Sequence, residues 1–82
     1  MGAYFITFRS VTLAQRGEVL LKKRGVRCQV QRTPRWMEEQ GCGYCLRLQT
    51  MDPAVALLKG GGIPYRKVYR QREDGTVEEV TG

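Results

Sequence analysis

Cys42-Gly43-Tyr44-Cys45 carries the strongest chemical signal in this chain of 82 residues, which contains no histidine. Two thiols at this spacing can share a disulfide, supply half a metal site, or pass a sulfur atom. The missing histidine removes Cys-His catalysis and every His-containing zinc site. Thioredoxin-type CxxC pairs open a helix, whose N-terminal field lowers the thiol pKa. Here Leu46-Arg47-Leu48-Gln49 alternates apolar and polar residues, which predicts a strand. The candidate is therefore a thiol site at the entrance to a strand.

The two thiols have different prospects. Cys42 lies in a glycine-flanked loop, where its sulfur is expected to be accessible. Arg35 stands at the other end of that loop and Arg47 on the adjoining strand, both able to stabilise a thiolate or a persulfide anion. Backbone N–H groups around Gly41 and Gly43 add a small anion nest. Cys45 reads two ways, as a second thiol that resolves a Cys42 adduct by forming a disulfide, or as a small apolar strand residue. Cys28 alternates with Val26 and Val30 and is expected in the core. Trp36, beside Arg35, either covers the site or folds back on the core.

The elements that must position these residues follow from pattern. Tyr4–Arg9 is aromatic and β-branched, which predicts a first strand. Ser10 and Thr12 are N-cap candidates for a helix whose face carries Leu13, Ala14, Gly17, Leu20 and Leu21. Lys22, Lys23 and Arg24 suit its last turn, and Gly25 ends it. Val26–Gln31 alternates as a second strand, and Pro34 opens the loop that runs to the thiols. Tyr44–Gln49 forms the third strand. Asp52-Pro53 starts a second helix, and Gly60-Gly61-Gly62 ends it rather than cradling a phosphate, since phosphate loops precede a helix. Tyr65–Arg72 is the fourth strand. Asp74-Gly75 signals a type I′ hairpin, with Thr76–Val80 as a return strand that sets Arg70 opposite Glu79; the alternative is an acidic tail.

The order β-α-β-β-α-β predicts an α+β fold of ferredoxin-like type, a four-stranded antiparallel sheet with both helices on one face and an optional C-terminal hairpin. Residues 1–72 form the domain and 73–82 the tail or return strand. Alternation assigns Ile6, Phe8, Cys28, Val30, Tyr44, Leu46 and Leu48 to the helix-covered face. It leaves Thr7, Arg27, Gln29, Cys45 and Arg47 on the open face.

Residues in this order and spacing resemble the selenium/sulfur carrier protein-like family of small bacterial and archaeal domains. Phe8-Arg9-Ser10-Val11-Thr12-Leu13-Ala14 with Glu18 and Leu20 matches the start of its pattern. Pro34-Arg35, Cys42-Gly43, Leu46-Arg47 and Gly62-Ile63-Pro64-Tyr65 follow in turn. The resemblance spans roughly residues 4–70. It departs from the family at Val11, where Thr is usual, at Glu39-Gln40-Gly41, where Ser is common, and at Cys45, where an apolar residue is usual. It implies a carrier that holds sulfur or selenium on Cys42 as a persulfide or perselenide. It also implies donor and acceptor proteins as partners, with Ser10 and Gly43 joining Arg35 and Arg47 around the anion.

Composition bounds the alternatives. A chain of this length makes one small domain with a thin core. No apolar run approaches bilayer length, and the start moves directly into a strand pattern. With three cysteines and no secretory pattern, a reducing cytoplasm is expected, with no disulfide framework. The net charge of +6 is uneven: residues up to Arg35 carry eight Lys/Arg against Glu18 alone. That asymmetry supports a second reading, a protein-interaction or nucleic-acid-binding module, in which Arg27, Arg47, Arg66 and Arg70 make the open sheet basic. A third reading assembles zinc from the CxxC thiols of two chains across a homodimer axis. A carrier needs no metal and no cofactor of its own, and general acid–base catalysis finds little support among the scattered acids.

Overall fold

The computed structural model describes residues 3–33, 43–50 and 52–80. The elements run β1 (Ala3–Thr7), α1 (Val11–Lys23), β2 (Cys28–Arg32), β3 (Tyr44–Leu48), α2 (Asp52–Gly60), β4 (Val68–Gln71) and β5 (Val77–Val80). The sheet order is β2-β3-β1-β4-β5, and every neighbouring pair is antiparallel. The first four strands follow the ferredoxin-like order. The expected four-stranded sheet is corrected to five, because the return strand β5 pairs along β4 and continues the sheet.

Local chemistry sets the element ends. Ser10 is extended, and its Oγ accepts from the Leu13 N–H at 3.2 Å, so it is the N-cap of α1. Both helices finish alike: Val26 N–H returns to Leu21 C=O at 2.9 Å, and Ile63 N–H to Leu58 C=O at 3.0 Å. Val26 is thereby spent on the helix end, and β2 begins at Cys28 rather than Val26. The expected strand Tyr65–Arg72 is shortened for a related reason. Lys67 N–H donates to the Thr7 side-chain oxygen at 3.0 Å and Arg66 N–H to the Thr7 carbonyl at 2.7 Å. The buried Thr7 thus ties down the segment ahead of Val68 through its hydroxyl as well as its backbone.

The core lies between the sheet and the two helices. Ile6, Phe8, Leu46, Leu48 and Val68 from the strands meet Ala14, Leu21, Ala54, Val55 and Leu58 from the helices. At Gly17, α1 packs closely on both β3 and α2. A Cβ built there would stand 3.2 Å from Leu46 Cδ1 and Leu58 Cδ2 and 3.3 Å from Phe8 Cζ. The missing side chain is what lets α1 settle against both β3 and α2.

The β4–β5 turn corrects the expected register. Gly75 N–H donates to Arg72 C=O at 2.9 Å, and among the described turn residues Gly75 alone has positive φ, at 90°. A type I′ turn needs positive φ at both central residues, so the loop is instead the longer kind that carries one extra residue. Arg70 therefore lies opposite Glu78, and Glu79 opposite Tyr69. Glu78 then reaches both Arg70, at 4.0 Å, and Arg72, at 3.0 Å. Asp74 Oδ1 accepts from Thr76 Oγ1 at 2.6 Å and from Thr76 N–H at 2.9 Å. The hydroxyl bond, then the backbone bond, lowers the Asp74 pKa below its ordinary 3.8. Its contribution to the turn is present above that value and is lost as pH falls through the lower folded value. Chemical shifts of Thr76 across an acid titration should follow that loss.

Candidate functional site

The site is built where β2 and β3 leave and re-enter the sheet. Arg32 pairs with Tyr44, and beyond this pair Thr33 N–H donates to Gly43 C=O at 2.7 Å. The two ends of the segment that carries Arg35, Trp36 and Cys42 are therefore clasped together at one end of the sheet. Arg35, Trp36 and Cys42 lie outside the described residues. The Thr33 side-chain oxygen is buried and has no hydrogen-bond partner among the described residues.

Other elements converge on the same end. Phe8 N–H donates to Tyr44 C=O at 3.4 Å, so the exit of β1 runs beside the entrance of β3. Arg9 and the exposed cap Ser10 follow at once. Arg66 and Lys67 are tied to Thr7, whose register partner is Cys45. Arg32 is thus in register with Tyr44 beside the half-buried Gly43, and Arg9 directly follows Phe8, which bonds Tyr44, whereas Lys67 is paired with Glu79 at 3.6 Å. Sequence reading did not place Arg9 and Arg32 at the site. Arg32 was accessible through the alternation of β2; the nearness of Arg9 required the long-range Phe8–Tyr44 bond.

Arg47 is not brought to this end. It lies four residues along β3 from Gly43, about 13 Å of extended chain, exposed in a row with Gln29 and Phe5. Arg70, expected on the open sheet, instead shares the row of Tyr4 and is held by Glu78.

Cys45 falls on the face away from the helices, as alternation predicts, yet its exposure is 0%. It sits in a second apolar cluster with Ala3, Phe5 and Tyr69, against which Val77 packs. Phe5 and Tyr69 are opposite one another in the β1–β4 register, and they are 4% and 8% exposed. The sheet face opposite the helices is therefore a minor core at its centre rather than an aromatic platform. Tyr44 is already the first residue of β3.

Cys28 is half-buried against α1, where its Sγ donates to Glu18 C=O at 3.8 Å. Burial first, and then the Glu18 carboxylate, raises its thiol pKa above the ordinary 9.0, while Lys22 acts in the opposite sense. The thiol stays protonated at neutral pH and is a poor nucleophile. Alkylation of Cys28 in the native protein should therefore stay slow at pH 7–8 and rise only above 9.0. Peptide mapping against pH reads this directly; an ordinary cysteine profile would contradict the packing. The sign for stability is the same: the raised folded pKa favours the native state below 9.0, and that contribution is lost as pH rises through the folded value.

Glu18, part of the family-like pattern, has a structural task. Its Oε2 accepts from Val30 N–H at 3.1 Å on the edge strand β2 and pairs with Lys22 at 3.4 Å. The carboxylate thereby occupies a backbone donor on the edge strand of the sheet. Glu18→Ala should cost about 1–2 kcal/mol, the loss of a charge-assisted bond to a half-buried N–H, measurable by urea unfolding.

Among the described residues no group of three or more Cys, Asp or Glu is placed to hold a metal ion. No helix among them is long and apolar enough to cross a membrane.

Comparison with known families matches residues 3–70 to the family described as "Putative Se/S carrier protein-like". No curated protein and no solved structure matches the chain.

Proposed function

The chain belongs to the Se/S carrier protein-like family, and from this premise we propose that it carries a sulfur or selenium atom on Cys42 between a donor and an acceptor protein. The family match carries the reading, because it spans both the Cys42-Gly43 pair and the elements on either side of it.

The chemistry is a thiol exchange. The Cys42 thiolate attacks the terminal sulfur of a donor persulfide, and the donor S–S bond breaks. The donor leaves as a thiolate, and Cys42 keeps the transferred atom as a persulfide. An acceptor nucleophile then attacks that outer atom and returns Cys42 to its thiolate. Selenium follows the same route. Both anionic forms gain from nearby positive charge. Arg35 supplies it within the Cys42 segment. Arg9 and Arg32 supply it beside the backbone bonds that clasp that segment. The chain acts here as a carrier rather than as a stand-alone enzyme.

The burial of Cys45 favours a single-thiol carrier over an internal resolving pair. In the single-thiol reading, Cys45→Ala leaves the lifetime of a sulfur adduct on Cys42 unchanged. A longer-lived adduct in that variant would restore Cys45 to the mechanism.

Intact mass after exposure to a persulfide donor tests the proposal. The parent protein should gain the mass of one sulfur atom, Cys42→Ser should gain none, and a reductant should reverse the gain. Equal gain in both proteins would move the acceptor thiol elsewhere. No gain in the parent would end the carrier reading.

A further inference from the structure

A second feature of the sheet lies at the far end of β3 from Gly43. Cys28, Leu48 and Tyr4 form one cross-strand row. One step back, Gln29, Arg47 and Phe5 form the next. Alternation turns Gln29, Arg47 and Phe5 to the face away from the helices, where Ala3 also packs. Arg27 immediately precedes β2 and Gln49 immediately follows β3. A cavity of about 210 Å³ is formed here, its lining including Ala3, Arg27, Gln29, Arg47 and Gln49.

Among the described residues the charges of this cavity are uncompensated. Lys22, Lys67, Arg70 and Arg72 each have an acidic partner. Arg27 and Arg47 have none among the described residues, and no carboxylate lines the cavity. Arg27 lies two residues before Gln29, the register partner of Arg47, and both arginines line the cavity. Their guanidinium groups can converge on one small anion but gain nothing from each other. The side-chain amides of Gln29 and Gln49, in the same lining, add further N–H donors. Ala3, the smallest side chain in its row, leaves the space open.

We propose that this cavity is a binding site for a small tetrahedral oxyanion of the phosphate class, held by Arg27 and Arg47 with Gln29 and Gln49. Guanidinium groups suit such a ligand because their paired N–H donors match two of its oxygens. The site does not depend on the thiol chemistry of Cys42. Both arginines are exposed, so salt weakens the site, and a dissociation constant on the order of 1 mM is expected.

The test is a titration with inorganic phosphate at fixed low ionic strength, with chloride as the matched control. Arginine Nε–H and glutamine amide resonances are followed by NMR. Saturable shifts confined to Arg27, Gln29, Arg47 and Gln49 are expected. The double variant Arg27→Gln, Arg47→Gln should weaken binding at least tenfold. Gln49→Glu, which sets a carboxylate in the cavity at an exposed position, should do the same. Cys42→Ser should bind phosphate like the parent, which separates this site from the carrier reading. Equal shifts with chloride, or undiminished binding in the variants, would overturn the proposal. So would saturation by a short single-stranded oligonucleotide but not by phosphate, which would mark a nucleic-acid surface instead.

Discussion

Replacing Gly17 with leucine should destabilise the protein by about 3 kcal/mol or more, at the upper end of the usual range for overpacked cores. A Cβ at this position already meets Leu46, Leu58 and Phe8 at 3.2–3.3 Å, and all three are fully buried. Leucine adds three further carbons where none of these neighbours has solvent to move into. Gly17→Ala is the informative control. Its helix propensity gain is about 1 kcal/mol, opposed by the small displacements that one methyl demands, so its net effect should stay within about 1 kcal/mol. Urea unfolding of the two variants decides the point. A domain of this size has only about 4–12 kcal/mol in total, so the leucine variant should lose a large share of its folded margin. A leucine variant as stable as the alanine one would mean that α1 does not sit on β3 and α2 as described.

Cys45→Asp should be comparably severe at pH 7, costing at least about 3 kcal/mol, because a carboxylate replaces a fully buried thiol among Ala3, Phe5 and Tyr69. The loss should depend on pH with a definite sign. Burial raises the carboxyl pKa of the introduced group above its unfolded value, so the neutral form is favoured in the native state. The variant should recover stability as the solution is acidified and lose it as pH rises through that raised value. Cys45→Ala keeps an apolar group and should cost far less. If the face away from the helices were solvated at this point, the aspartate would cost below about 0.5 kcal/mol, as surface substitutions do. The comparison therefore tests whether this face carries a second core, and with it the accessibility of Cys45 to any partner thiol.

These expectations show which features were local. The two helices, their Ser10 and Asp52-Pro53 starts, and their glycine ends are set by residues within a turn of one another. Strand faces are equally local, since alternation decides them: Ile6, Phe8, Leu46 and Leu48 point to the helices as their spacing requires. The family pattern, too, could be recognised along the chain before any contact was known, and it matches residues 3–70.

What remained open depended on groups far apart in sequence. Alternation could put Cys45 on the face away from the helices, but not say that Phe5, Tyr69 and Ala3 would enclose it there. Thr7 reaches Lys67 and Arg66 across about 60 residues, and those bonds, not propensity, set where β4 begins. The hairpin register turned on a single extra loop residue, and that slip moved Glu78, rather than Glu79, onto Arg70. Arg27 and Arg47 are twenty residues apart, and only the β2–β3 pairing brings them to one cavity. Local pattern determines which way a side chain faces. The free energy of long-range pairing and burial determines what it meets, and that requires the whole sheet to be assembled.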